Sequence, residues 1–189
     1  MIGVNVNAYN TFPGELERFK AQIPSDIKLN IETEEYFTNG FYNRNIAHNI
    51  GILKLKNCEI ICCVDIDLKI PVDAWQKIAK KVKDELLWVQ VWKHGKLLSS
   101  GKGGFNCAKF KTWMKFGWNE EMFGRMRDQD LHQRAEAEGV KIEAVDLSVE
   151  HIPHPRRFKT KDHEFKDLVT SSMSVNRPWR NFLEERLKT

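Results

Sequence analysis

The sequence predicts an α/β fold in which helices cover both faces of a central, mostly parallel sheet. Segments with the two-residue alternation typical of strands take turns along the chain with segments that have helical spacing of apolar residues. Residues 59–64 are almost continuously apolar, which indicates a central strand that is covered on both faces. With 189 residues and a hydrophobic fraction of 41%, the chain is large enough for one domain with its own core.

In the first half of the chain, periodicity and turn residues define the predicted elements. Apolar and polar residues alternate over 2–7 and over 27–31, so both segments are predicted to be strands. A turn that contains a proline and a glycine precedes a predicted helix at 15–22. Residues 43–56 place their large aliphatic side chains on one stripe and are predicted to form a second helix, directly before the apolar strand.

In the second half, further elements are predicted before a polar tail. An amphipathic helix with Trp75 inward precedes a tryptophan-containing strand, and Gly139 ends the last predicted helix as a C-cap. The elements are a helix at 73–87, a strand at 88–92, helices at 108–115 and 128–138, and a strand at 140–144. The prediction is therefore a compact domain at 1–155, followed by a basic tail at 156–189 that packs on it.

Composition and charge narrow the classes of function. There are 30 basic and 26 acidic residues, a formal charge of +4, which suits an anionic ligand without requiring nucleic acid. No apolar run approaches the roughly 20 residues of a membrane helix, and the N-terminus lacks the features of a signal peptide. The cysteines form no C-x-x-C pair and are expected to be buried, reduced thiols. A cytoplasmic protein without a transmembrane segment is therefore expected.

Two acidic residues follow the apolar strand and carry the first chemical signal. Asp65 and Asp67 come directly after 59–64, at the end of the strand where open α/β sheets bind their ligands. Carboxylates in such a place need a cation, and a hard divalent metal that bridges to phosphate would satisfy them. The same D-x-D pattern recurs at 128–130, which shows that the pattern arises easily. Taken alone, Asp65 and Asp67 are therefore also explained by a strand end followed by a turn.

Segments in a fixed order resemble the motifs of GT-A glycosyltransferases. Asn-Arg-Asn at 43–45 opens a helix, as in the segment of that family that faces the nucleotide sugar, and 63–67 resembles its D-x-D strand. The Gly-Gly and Gly-Trp-Asn-Glu-Glu stretches within 103–121 and Arg-Asp-Gln-Asp-Leu at 127–131 resemble motifs of the family 2 and β-1,4-galactosyltransferase group. His151 follows the last predicted strand, where that group often has a metal-binding histidine.

The resemblance implies a GT-A type three-layer sandwich with a mostly parallel, mixed sheet and a shortened N-terminal half. It implies transfer of a sugar from a nucleotide-diphosphate sugar, with a UDP-sugar as the expected donor, to a hydroxyl of a glycan or other acceptor. Mn²⁺ or Mg²⁺ is the implied cofactor. Inversion is expected with Asp128 as general base, while retention, as in a related branch of the superfamily, stays open. The implied metal ligands are Asp67, His151 and Asp65. The implied donor-binding residues are Tyr9, Glu32 (or Glu34), Arg44, Asn49, Asp65 and Asp67, and the implied acceptor or sugar contacts are Gly103, Gly104, Trp118 and Asp130.

Several of these residues also have a purely structural interpretation. Asp128 fits the preference for acids at a helix N-terminus, and Arg44 fits a solvated helix start. Trp118 is as compatible with core packing as with stacking on a sugar ring, and both loop glycines fit an ordinary flexible loop. His151 also fits a surface position in a proline-rich turn, and His154 is interpreted as a neighbour of the ligands or a surface residue.

Two other classes of function remain open at the level of the sequence. The shortened N-terminal half, and Arg127 where the resembled group has an acid, fit a catalytically inactive nucleotide-sugar binding module. The frequent lysines and arginines fit a nucleic-acid-processing protein, although the charge excess is small. Donor binding without turnover would identify the first class, and a salt-dependent gel shift would identify the second.

Overall fold

The computed structural model describes residues 1–9, 11–34, 36–38, 41–98, 104–121, 127–154 and 181–188. The strands are β1 (Ile2–Asn7), β2 (Lys28–Glu32), β3 (Phe37–Thr38), β4 (Phe41–Tyr42), β5 (Ile60–Asp65), β6 (Leu68–Lys69), β7 (Leu86–Lys93), β8 (Lys96–Leu97), β9 (Phe105–Lys109) and β10 (Ile142–His151). The helices are α1 (Glu15–Lys20), α2 (Arg44–Lys54), α3 (Ala74–Lys81), α4 (Phe110–Phe116), α5 (Arg127–Ala137) and α6 (Phe182–Arg186).

An eight-stranded sheet forms the middle layer, in the order β2–β1–β5–β9–β7–β10–β6, with β8 paired to β7. The neighbours β2, β1 and β5 are parallel, and so are β7 and β10. Because β9 runs antiparallel to both β5 and β7, the strands β2, β1, β5, β7 and β10 all point in one direction. Their C-terminal ends therefore lie along one edge of the sheet, which we call the carboxyl edge. The predicted mixed α/β sheet is confirmed.

Alternate side chains of the central strand β5 enter two separate hydrophobic cores. Cys62 and Val64 pack on one side with Trp75 and the other apolar residues of α1 and α3. Ile61 and Cys63 pack on the opposite side with the apolar residues of α2, α4, α5 and α6. Since helices cover both faces of the sheet, the architecture is the predicted three-layer sandwich.

One predicted helix is too long. The helix predicted at 73–87 ends at Lys81, and β7 begins inside the predicted range. The residues between form a turn, in which the Glu85 carboxylate accepts hydrogen bonds from the backbone N–H groups of Lys83 (2.8 Å) and Asp84 (3.1 Å). The leucines that begin β7 continue the apolar spacing of the helix, so periodicity alone does not reveal the break.

Strand β9 is missing from the sequence prediction, which assigns a helix to 108–115. Ala108 lies in β9, and α4 begins at Phe110. Because β9 is inserted between β5 and β7, both of its faces are covered, and Phe105 and Asn106 are equally buried. A short strand of this kind lacks the alternation by which a strand is recognised in a sequence.

Helix α2 lies very close to strand β1. A β-carbon at Gly51 would overlap with the side-chain amide of Asn5, so glycine is the residue that fits this contact. Asn5 is fully buried, and its Oδ1 accepts a hydrogen bond from Asn30 Nδ2 at 2.8 Å. This approach fixes α2 against the sheet with its first residue, Arg44, beside the end of β5.

Three features bear on the expectations from composition. All four cysteines are free and buried, which confirms the prediction of buried thiols. Burial raises the pKa of the Cys63 and Cys107 thiols, which keeps them protonated.

None of the helices in the described parts of the chain is both long and apolar enough to cross a membrane. Within the tail predicted at 156–189, the described residues 181–188 include α6, whose Leu183 is fully buried.

Candidate active site

The carboxyl edge gathers polar side chains from neighbouring strands. Strands β1, β2 and β5 end in register at Asn7, Glu32 and Asp65, so these residues lie side by side. On the other half of the sheet, β10 ends beside β7 at His151. Because parallel strands end together, residues far apart in the sequence meet here, as expected for a ligand site of an open α/β sheet.

A short ladder brings Asp67 to the end of β10. After β5 the chain turns through Ile66 and Asp67 into β6, which pairs antiparallel with β10 so that Leu68 is opposite His151. The backbone N–H of Ile152 donates to the Asp67 carbonyl at 2.8 Å. Strand β10 reaches this point because it extends well beyond the predicted range of 140–144.

The side chains of Asp67, His151 and His154 converge at this point. His154 Nε2 is 2.8 Å from Asp67 Oδ2, and His151 Nε2 is 3.7 Å from the same oxygen. One ligand atom from each residue lies within 4.8 Å of the other two, which is compatible with a single metal ion. We call these residues the Asp67–His151–His154 cluster. A carboxylate and imidazoles are common ligands of divalent metals.

The surroundings of His151 favour its neutral form. Burial is the main cause of its lowered pKa, and the charges of Lys93 and His154 act in the same direction, against those of Asp67 and Asp65. Its Nδ1 is buried and has no hydrogen-bond partner among the described residues. Because neutral imidazole is the form that binds metals, His151 is suited to be a ligand.

Beside the cluster, Arg44 forms an ion pair with Asp65. Arg44 is the first residue of α2, and its Nη1 donates a hydrogen bond to Asp65 Oδ1. Burial lowers the pKa of Arg44, but the negative charges of Asp65, Asp128 and Asp67 outweigh burial and raise it. The guanidinium group therefore lies in the field of acids from β5, from the turn after it and from α5.

Gly104 packs directly against Asp65. The Gly104 carbonyl accepts a hydrogen bond from the Asp65 backbone N–H at 2.7 Å, and its φ is +92°. A β-carbon at this position would lie 3.4 Å from Asp65 Oδ2 and would be strained at that φ. Gly103, which was expected to act with Gly104, lies outside the described residues.

Helix α5 directs one acid to the carboxyl edge and another to the interior. Asp128, in the first turn, is half-buried, and its charge acts on Arg44. Leu131 is fully buried, so it anchors the same helix as its spacing predicts. Asp130 is 7% exposed and is hydrogen-bonded to Asn119. Its side chain is directed into the protein in this structure, and the contact of Asp130 with an acceptor stays a prediction.

Tyr9 and Glu32 lie at the other end of the carboxyl edge. The Tyr9 ring stacks on that of Tyr42, with 4.0 Å between centroids and an interplanar angle of 18°. Glu32 is buried, and its carboxylate is 2.9 Å from Lys54 Nζ and accepts a hydrogen bond from Asn30 at 2.7 Å. In this structure Glu32 thus links β2 to α2, next to an aromatic pair.

Asn49 and Trp118 belong to the core. The Asn49 amide donates to the Trp118 carbonyl (2.9 Å) and the Glu120 carboxylate (2.8 Å) and accepts from the Trp118 backbone N–H (2.9 Å). Trp118 is 2% exposed, and its ring lies 4.8 Å from that of His48. Both side chains are enclosed in this structure, and the roles of Asn49 in donor binding and of Trp118 in sugar binding stay predictions.

The side chains that meet at the candidate metal site differ in part from the expected metal ligands. Asp67 and His151 meet, whereas Asp65 is directed to Arg44 and is not part of the cluster. His154, interpreted from the sequence as a neighbour or a surface residue, is closer to Asp67 than His151 is. The signal that could have revealed it is the repeated histidine directly after the last strand, since both imidazoles come from one short segment.

Solved structures of similar fold include a glucosyl-3-phosphoglycerate synthase. Glucosyl-3-phosphoglycerate synthase from Mycobacterium tuberculosis, in complex with Mg²⁺ and uridine diphosphate (UDP), matches with a TM-score of 0.57 and 11% identity, over 82% of this chain and 72% of the other. The same enzyme with Mn²⁺, UDP-glucose and phosphoglyceric acid matches with a TM-score of 0.57 and 11% identity, over 90% and 76%. No protein-family model and no curated protein matches the sequence. At this identity the likeness concerns the fold, and it confirms the GT-A type of sandwich.

The burial of Asp130 in the interior can be tested by its effect on the free energy of unfolding. Burial raises its pKa, although Arg134 and Asn119 act against the shift. A carboxyl whose pKa is higher in the folded state stabilises the fold at low pH and loses that contribution as the pH rises. Asp130→Asn is therefore expected to increase the free energy of unfolding near pH 7, and the increase should shrink toward about pH 4.

Urea unfolding of both proteins across this pH range measures the effect. Glu136→Gln, which neutralises an exposed acid of the same helix, is the matched control and should show no comparable pH-dependent gain. An Asp130→Asn protein that is less stable than the wild type throughout the range would contradict the assignment of Asp130 to the interior.

Proposed function

We propose that the protein is a metal-dependent glycosyltransferase, which moves a sugar from a nucleotide-diphosphate sugar to an acceptor hydroxyl. The observation that carries the proposal is the Asp67–His151–His154 cluster at the carboxyl edge of a GT-A type sheet, next to the Arg44–Asp65 ion pair. The synthase of similar fold is described with Mg²⁺ or Mn²⁺ and with UDP or UDP-glucose. That description supports a divalent metal and a UDP-sugar donor for this chain as well.

The ligand atoms of the cluster fit Mn²⁺ better than Mg²⁺. Mg²⁺ takes oxygen ligands in near-ideal octahedral geometry, whereas the cluster offers two imidazoles for one carboxylate. The buried Nδ1 of His151 and the neutral state favoured by its surroundings suit coordination. A divalent ion at this place supplies positive charge that stabilises the leaving diphosphate.

Arg44 is the residue proposed to bind the donor diphosphate. A guanidinium group has more N–H donors than its ion pair with Asp65 uses, and Arg44 Nε is buried without a hydrogen-bond partner among the described residues. Phosphate oxygens are suitable acceptors for such a group. At the far end of the edge, the Tyr9–Tyr42 pair and Glu32 are proposed to form the nucleoside side of the site.

Asp128 is the residue proposed to act as general base. It lies in the first turn of α5, where the helix dipole favours a charged carboxylate, and its charge reaches Arg44. The acceptor oxygen forms a bond to the anomeric carbon, the bond from that carbon to the diphosphate breaks, and the acceptor proton passes to Asp128. With a single base opposite the leaving group, this displacement inverts the configuration.

The motifs within 103–131 favour the family 2 and β-1,4-galactosyltransferase type among GT-A enzymes. A glycan is therefore the preferred acceptor class, and the close packing of Gly104 on Asp65 would let a sugar ring approach the backbone. Arg127, in place of the acid of that group, keeps a catalytically inactive nucleotide-sugar binding module as the alternative.

The metal ligands can be tested one at a time. His154→Ala is expected to weaken Mn²⁺ binding by at least about tenfold, the lower range for disturbing a metal site, because it removes one of two imidazoles. Free Mn²⁺ measured by electron paramagnetic resonance, without nucleotide, gives the affinity. His94→Ala, at an exposed histidine in the turn after β7, is the control and should bind like the wild type. Wild-type affinity in His154→Ala would remove His154 from the site.

Replacing the proposed base, Asp128, tests whether the protein is an enzyme or a binding module. Asp128→Asn is expected to lower sugar transfer by about a hundredfold or more, the usual scale for loss of a general base. Affinities for UDP and Mn²⁺ should change far less than transfer does, because Asp128 acts on Arg44 only through its charge and is not a ligand in this proposal. Transfer to a panel of glycan acceptors, together with slow hydrolysis of the donor, provides the measurement.

The matched control for Asp128→Asn is Glu136→Gln, which removes an exposed acid from the same helix. Turnover in Asp128→Asn equal to that of the control would exclude Asp128 as the base. A wild-type protein that binds UDP-sugars, yet neither transfers nor hydrolyses them, would favour the binding module.

A further inference from the structure

Glu120 links two helices that are distant in the sequence. Its Oε1 is 2.5 Å from Arg186 Nε and its Oε2 is 2.6 Å from Arg186 Nη2, so the two side chains form a bidentate pair. The same Oε1 also accepts a hydrogen bond from Asn49 Nδ2 at 2.8 Å. The carboxylate therefore joins the C-terminal helix α6 to helix α2. A pair of this geometry restrains both orientation and distance.

Helix α2 holds the 118–120 segment through asparagines. Asn43 Nδ2 donates to the Glu120 carbonyl at 2.5 Å, and Asn45 Nδ2 donates to the Asn119 carbonyl at 2.7 Å. One turn further along α2, Asn49 holds both backbone groups of the residue at 118. These contacts come from Asn43, which caps α2, and from the first half of the helix, on both sides of Arg44, so they determine where the start of the helix lies.

Helix α6 is docked so that Arg186 has a defined position. Leu183 is fully buried, and a β-carbon at Gly117 would lie 2.9 Å from its side chain. Asn181, which caps α6, donates from Nδ2 to the Met114 carbonyl at 2.8 Å. The guanidinium carbon of Arg134 lies over the Phe182 ring, 5.7 Å from the ring centroid. Helix α6 therefore also contacts α5.

We propose that Arg186 is a positioning residue for the donor site: through Glu120 it fixes the start of α2 and thereby the Arg44 guanidinium that binds the donor diphosphate. The proposal rests on the function proposed above. Arg186 acts through the Glu120 carboxylate, which Asn49 of α2 also contacts, and through the asparagine bonds that hold the 118–120 segment. Without the bidentate pair, Glu120 keeps only the Asn49 contact among its described side-chain bonds, and the segment held by the asparagines loses its ion pair with α6.

The affinity for UDP in the presence of Mn²⁺, measured by calorimetry on the full chain, tests this role. Arg186→Ala is expected to weaken UDP binding by roughly threefold to thirtyfold, the range for coupling through a packed network. Mn²⁺ affinity without nucleotide should be unchanged, because the cluster shares no residue with this network. Lys188→Ala, which removes an exposed charge just after α6, is the control and should match the wild type.

A double-variant cycle identifies the route of the effect. If Arg186 acts through Arg44, Arg186→Ala should have no further effect on UDP affinity in an Arg44→Ala background. An equal loss in both backgrounds, or wild-type UDP affinity in Arg186→Ala, would overturn the proposal. Thermal unfolding is followed in parallel. If Arg186→Ala fails to fold, Arg186→Lys decides, since lysine keeps the charge but lacks the bidentate geometry and should also weaken UDP binding, whereas wild-type affinity would contradict the role.

Failure of this inference and failure of the proposed function give different results. A wild-type protein that binds no UDP in Mn²⁺ would overturn the proposed function and, with it, the role of Arg186. A wild-type protein that binds UDP, with Arg186→Ala binding it equally well, would overturn the positioning role alone.

Discussion

The arrangement of the site depends on how negative charge is balanced at the end of β5. Asp65 and Asp67 follow a strand that is covered on both faces, and a carboxylate in such a place is costly unless a cation or hydrogen-bond donors are near. Asp65 is paired with Arg44 from α2, and Asp67 lies beside His151 at the end of β10 and His154 just after it. This requirement accounts for the meeting of two distant parts of the chain at one edge.

In the proposed function, the same balance of charge would connect metal binding to nucleotide binding. Acids from three different positions act on the one guanidinium of Arg44, so the edge carries an excess of negative charge that a divalent cation would compensate. A diphosphate would add negative charge again and would be held by the cation and by Arg44 together. On this account, metal and nucleotide each improve the binding of the other.

Much of the fold could be predicted, because the spacing of apolar residues along the chain reflects which face of a strand or helix is buried. Strands β1 and β5 and helix α2 have clear periodicity, and Asp65 and Asp67 mark the strand end by their change in polarity. Strand β9 could not be predicted in this way, because a short strand covered on both faces has no alternation. The overlong helix at 73–87 failed for a different reason, since the leucines of β7 continue helical spacing across a turn.

The site was less predictable than the fold, because its contacts are set by strand pairing. The meeting of Asp67 and His151 depends on the β6–β10 ladder, so the sequence indicated it only through resemblance to a family. The ion pair between Glu120 and Arg186 spans 66 positions and has no local pattern at all. Motif position does not reveal whether a side chain is enclosed, which is why the sequence did not settle that Asn49 and Trp118 are buried.

The most direct test of the central claim is the position of Mn²⁺ in crystals grown with Mn²⁺ and UDP, measured by anomalous diffraction at the manganese absorption edge. The account predicts one strong anomalous peak between the side chains of Asp67, His151 and His154, in contact with the diphosphate, with Arg44 bound to a phosphate oxygen. A diphosphate bound without manganese at these side chains, or a manganese peak elsewhere on the protein, would contradict it.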